Sequence, residues 1–145
     1  MTTFVTRKTA REAVAALFRA NGTWQTVYDH EPRDLAGESP VLTIRSGGTL
    51  TSNMFNASPT AFLFVLTNYV LVTDGATWGP DDAEDKLDEL DREIREIVRD
   101  NTPAGCDYIE LDESASVTAY VEDEGGHIYR TETFTLRAEL ATGQI

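Results

Sequence analysis

The sequence predicts an α+β fold, a single mixed, mainly antiparallel sheet packed by two helices at about residues 7–21 and 81–100. Three stretches carry that prediction. Between residues 81 and 100, Ala83, Leu87, Leu90, Ile94 and Ile97 recur every three or four positions. That spacing lays one apolar stripe along an otherwise charged helix. Residues 61–72, AFLFVLTNYVLV, are apolar at both parities for most of their length, as in a strand covered on both faces. In residues 128–140, Phe134, Leu136, Ala138 and Leu140 share one parity and Thr131, Thr133, Thr135, Arg137 and Glu139 the other. Such a strand buries one face and wets the other.

Taken in order, residues 7–21 place Ala10, Ala13, Val14, Leu17 and Phe18 on one helical face, and Asn21-Gly22 suits the close of that helix. Residues 23–30, with Trp24, Val27 and Tyr28 among threonines, have strand composition, and Glu31-Pro32-Arg33 breaks them. A second short strand is predicted at 40–45, ended by Gly47-Gly48. Residues 46–59, rich in Ser, Thr, Asn and Gly, read as a loop with Met54 and Phe55 isolated in it. Pro80 starts the acidic helix, Asp81, Asp82, Glu84 and Asp85 suit the positive end of its dipole, and Asn101 and Pro103 end it. Asp82 with Lys86, Asp88 with Arg92 and Asp91 with Arg95 are spaced to pair at i,i+4. The stripe also suits a two-stranded coiled coil, but it lasts fewer than the three or four heptads that would argue for one. Strands at 108–111, 116–121 and 128–140 follow, with Gly125-Gly126 as a hairpin turn between the last two.

A length of 145 residues suits one domain, here residues 1–145, large enough for a core without metal or disulfide. The 25 acids and 12 basic residues give a net charge of −13, which argues against a surface that grips nucleic-acid backbone. A single cysteine, Cys106, excludes an internal disulfide and a Cys-rich metal site, and a buried structural thiol is the expectation. No apolar run approaches the roughly 20 residues of a bilayer span. The opening residues do not combine a basic start, an apolar run and a small-residue cleavage site, so a cytoplasmic site of synthesis is expected. Asn21-Gly22-Thr23 and Asn56-Ala57-Ser58 match the glycosylation sequon, which matters only in secreted chains.

Chemistry is sparse along the chain. His30 and His127 have no neighbours in sequence that complete a nucleophile or metal set, so exposed or capping roles are expected. The 81–85 acids lack the alternating ligands and central Gly of a calcium loop, and Glu122-Asp123-Glu124 reads as solvated charge at a hairpin tip. Gly47-Gly48 lacks the spacing and Lys of a phosphate loop. Trp24 and Trp78 are expected to pack in the core or at its rim. No catalytic residue, metal ligand or cofactor is assigned, and the chain is not expected to be an enzyme.

In the order and character of its elements the sequence resembles the tail terminator, or tail completion, proteins of long-tailed bacteriophages. The matching parts are the opening helix followed by GTWQTVYDHEP, the PVLTIRSGG strand before a polar stretch, AFLFVLTNYVLV, the acidic DDAEDKLDELDREI helix and the closing ETFTLRAEL. The likeness spans nearly the whole chain and rests on no diagnostic motif. It implies a structural virion protein of the tail and neck, assembled in the host cytoplasm. Such a protein forms a ring, in the family a hexamer, that caps the tail tube, ends its polymerisation and joins the tail to the neck. Its partners would be further copies of itself, the tail tube protein and a neck or head-completion protein. DNA would pass its opening without specific binding, and no membrane would be involved. Met54 and Phe55 are then the candidate apolar contacts to the tube or a neighbouring subunit. A neck or head-completion connector subunit fits the same features, and a small acidic cytoplasmic binding domain is the reading from another class.

Overall fold

A computed structural model describes residues 5–52, 58–72, 79–112 and 115–140. Its elements are α1 (Arg7–Asn21), β1 (Thr26–Tyr28), β2 (Val41–Ser52), β3 (Ser58–Val72), α2 (Pro80–Asp100), β4 (Cys106–Leu111), β5 (Val117–Glu122) and β6 (Ile128–Leu140). The six strands form one mixed sheet in the order β1-β2-β3-β6-β4, with β5 also paired to β6. Among the described residues, only the β1–β2 ladder is parallel. β4 pairs with the second half of β6 and β5 with the first half, so the two short strands lie end to end along one flank of β6.

The predicted stripe of α2 is what the helix buries: Ala83, Leu87, Leu90, Ile94 and Ile97. It packs on β3, β4 and β6, while α1 packs on β1, β2 and β3. Both helices therefore cover the same face of the sheet. Leu42, Ile44, Phe64, Leu66, Phe134, Leu136 and Ala138 meet them there in one core. Thr6 caps α1, its hydroxyl accepting the Thr9 N–H at 3.1 Å. Asp82 caps α2 by accepting the Gly79 N–H at 2.7 Å. Of the predicted i,i+4 pairs on α2, Asp91 with Arg95 forms. Lys86 turns instead to Glu89 and Arg92 to Glu96, the alternative neighbours one turn away.

The predicted 46–59 loop is for the most part a β-hairpin. β2 continues to Ser52, paired with Ser58 at the start of β3. Gly47-Gly48 does not end the strand. The register shifts between Ser46 and Gly48, and Gly48 takes φ 141°, so the glycines make a bulge in a ladder that carries on. Polar composition misled here because Thr49, Leu50 and Thr51 still alternate as an edge-facing strand requires. Met54 and Phe55 lie outside the described residues.

On the face away from the helices, the connection between β1 and β2 lies across one end of the sheet. Leu35 packs there with Val41, Tyr69 and Tyr129. The Tyr69 hydroxyl donates to Glu31 Oε1 at 2.8 Å, and the Leu71 N–H donates to Ser39 Oγ at 3.0 Å. This strap crosses from the β2 side of the sheet to the β5–β6 turn.

Candidate functional site

The surface that stands out is the β5 flank. All six residues of β5 are exposed. Among the large apolar side chains, Val117 is 65% and Tyr120 61% exposed, and Tyr108, Val121 and Ile128 are exposed on or beside this flank; Val117 and Val121 lie on one face of β5 and Tyr120 on the other. An edge strand also presents unpaired backbone N–H and C=O groups, a template for pairing with another chain. Strand propensity explains why the segment forms: Val117, Thr118, Tyr120 and Val121 are β-branched or aromatic, and the Gly125-Gly126 turn folds them back onto β6.

β5 is held at its centre. Arg130, opposite Tyr120 in the ladder, lies 4.8 Å from the centre of that ring and donates to the Ala119 carbonyl at 3.1 Å. Its Nε also donates to Glu84 Oε2 on α2 at 2.8 Å. The hydrogen bond from Arg130 keeps the Glu84 carboxyl below its ordinary range. The edge strand is thereby tied to the helix layer by one guanidinium, and Tyr120 is presented as a fixed ring.

Between β4 and β5 a cleft of about 290 Å³ opens beside Arg95, Leu111, Ser116, Val117, Thr133 and Phe134. Behind it Glu132 is nearly buried and accepts the Ser116 hydroxyl at 2.7 Å. Burial pushes the Glu132 carboxyl up to about 7, with Asp91 adding to the rise and Ser116 and Arg95 opposing it. Glu132 shares the buried parity of Phe134 and Leu136, a signal present in the sequence, but its Ser, Asp and Arg neighbours come together only when α2 and residues 115–116 close on β6.

Candidate metal ligands around a histidine, which its sequence neighbours do not supply, come together in the fold. Folding brings Asp34 of the strap to Asp123 and His127 of the β5–β6 turn, each offering a ligand atom within 4.8 Å of the others. Asp123, read from sequence as solvated charge, has a side chain only 7% exposed and accepts the His127 N–H at 2.8 Å. Asp34 is distant in sequence from the turn, which is why neighbour-based reading could not find it. His30 is exposed as expected, against Asp29 at 3.1 Å. Trp24 is buried as expected, edge-on to Phe18 with its indole N–H donated to Asn68 Oδ1 at 2.8 Å. Cys106 is a half-buried free thiol whose pKa burial raises. Trp78, Met54 and Phe55 lie outside the described residues.

No protein-family model matches the chain, and no curated protein matches it. Among the described residues, no helix is long and apolar enough to cross a membrane.

Proposed function

We propose that this chain is a structural virion subunit that assembles into a ring, caps a phage tail tube to end its growth, and joins the tail to the neck. The observation that carries the reading is the β5 flank: an exposed strand with Val117, Tyr120 and Val121 bared on its two faces beside an edge unpaired among the described residues. Aromatic and aliphatic side chains on a rigid, self-pairing backbone are the composition of an interface, and they are costly to leave in water. The order of elements, which resembles that of tail terminators, supports the same reading. In it, β5 takes up a neighbouring copy, and Met54 and Phe55, which lie outside the described residues, are the contacts to the tube or a subunit that the sequence suggests. The function is mechanical, with no catalytic step and no cofactor.

Electron microscopy and native mass spectrometry of the purified protein test the ring. Closed rings are expected for the parent chain, together with their loss, without loss of the folded monomer, in Val121→Arg. A strictly monomeric parent at assembly concentrations would defeat the proposal. Co-purification with tail tubes separates the terminator from a neck connector, which would follow the head instead.

A further inference from the structure

We propose that Asp34, Asp123 and His127 form a divalent-cation site that clamps the β1–β2 strap to the β5–β6 turn. Two carboxylates and one imidazole make a mixed oxygen and nitrogen donor set, which favours a first-row ion such as Zn²⁺ or Mn²⁺ over Ca²⁺. The ligand atoms lie within 4.8 Å of one another, and small side-chain rotations bring them to the roughly 2.0–2.2 Å reach of such an ion.

Three further observations point to an occupant. His127 Nδ1 is shut off from solvent without a hydrogen-bond partner, 3.4 Å from Asp123 Oδ1. Tyr129, which is fully buried, also leaves its hydroxyl without a partner, and its ring lies 6.5 Å from that of His127. A buried polar atom without a partner is expensive; a cation would take up the lone pair of the imidazole nitrogen, and water bound to that cation can accept from the phenol.

The third observation concerns Gly125. A Cβ there would stand 3.1 Å from His127 Nδ1 and 3.2 and 3.3 Å from the two Asp34 oxygens. The proposed ligands thus converge on a space that glycine leaves open. The strap is shaped to deliver Asp34 to it. The Asp34 side chain accepts the Ala36 N–H at 2.8 Å, and Ala36 and Gly37 take φ 52° and 74°, a tight left-handed turn that fixes the carboxylate over the hairpin. Both Asp123 oxygens already accept backbone N–H groups, His127 at 2.8 Å and Leu35 at 3.4 Å, so this carboxylate is oriented before any ion arrives. Each oxygen keeps a lone pair for a metal.

Calorimetric titration of the metal-free full chain with ZnCl₂ and with MnCl₂, alongside thermal melts, tests the site. The parent should bind one equivalent of at least one of the two ions and melt higher with it. Asp34→Asn should weaken that binding by at least about tenfold. Gly125→Ala should do the same while keeping every ligand, so the test stands even if Asp34→Asn folds poorly. His30→Ala should bind like the parent. The proposal is overturned by a parent that shows no saturable binding of either ion up to about 100 μM, by a folded Gly125→Ala that binds undiminished, or by loss of binding in His30→Ala.

Discussion

Glu132 shows how a single residue in the wrong medium sets a pH dependence for the whole chain. It stands opposite Asn68 in the β3–β6 ladder, on the helix-covered face, and only 8% of it is exposed. The folded protein holds its proton up to about 7, against an ordinary 4.5, because burial disfavours the carboxylate and Asp91 adds like charge. The native state therefore binds more protons than the unfolded state between those values, and stability falls as pH rises through the window. Below about pH 4.5 this cost is absent, and above about pH 7 it is complete. Glu132→Gln keeps the shape and removes the charge. It should be more stable than the parent at pH 8 by on the order of 1–3 kcal/mol, and nearly equal to it at pH 4. Urea denaturation at the two pH values checks this, and a parent at least as stable as the variant at pH 8 would contradict it.

At the scale of elements, α1 ends on a contact that admits no side chain. The Gly22 N–H donates to the Phe18 carbonyl at 2.9 Å, and a Cβ on Gly22 would fall 1.9 Å from the ring of Trp24, itself packed edge-on to Phe18. Gly22→Ala must displace that ring. The expected loss is about 1–3 kcal/mol, with tryptophan emission shifted to the red, and an unchanged unfolding midpoint would refute it. Where an element is declared by periodicity, the sequence reading and the structure agree. The α2 stripe, the 7–21 helix and the 128–140 strand are placed by their apolar spacing alone. Where an element is polar, composition hid it: Gly47-Gly48 looked like a strand end and is a bulge, so the long β2–β3 hairpin was missed. The strand expected at 23–30 shrinks to Thr26–Tyr28, because only those residues find a partner in β2. The Asp34, Asp123 and His127 group was illegible for a different reason. It depends on a strap crossing the sheet, a relation between distant segments that no local pattern encodes.

For the molecule as a whole, charge is the property with the widest reach. Nearly half of the net −13 lies in α2, where ten acids and four basic residues fall between Asp81 and Asp100. Arg92, Arg95, Arg99 and Arg130 are each engaged with a carboxylate, so the cations on and beside this layer are not offered to a polyanion. Duplex DNA should therefore show no measurable retention in a filter-binding or mobility-shift assay near 0.15 M salt. Retention that weakens steeply with added salt would point to a basic face and count against the proposed passage of DNA. The sheet adds a constraint of another kind. β6 is the last described element, yet it pairs with β3 on one side and with β4 and β5 on the other. Until it has left the ribosome, β4 and β5 lack the strand they pair with and β3 lacks one of its neighbours. Pairing over such sequence separation is slow to nucleate. The exposed flank that would recruit another copy thus comes into being only with the final strand, which reserves assembly for chains whose synthesis has reached that strand.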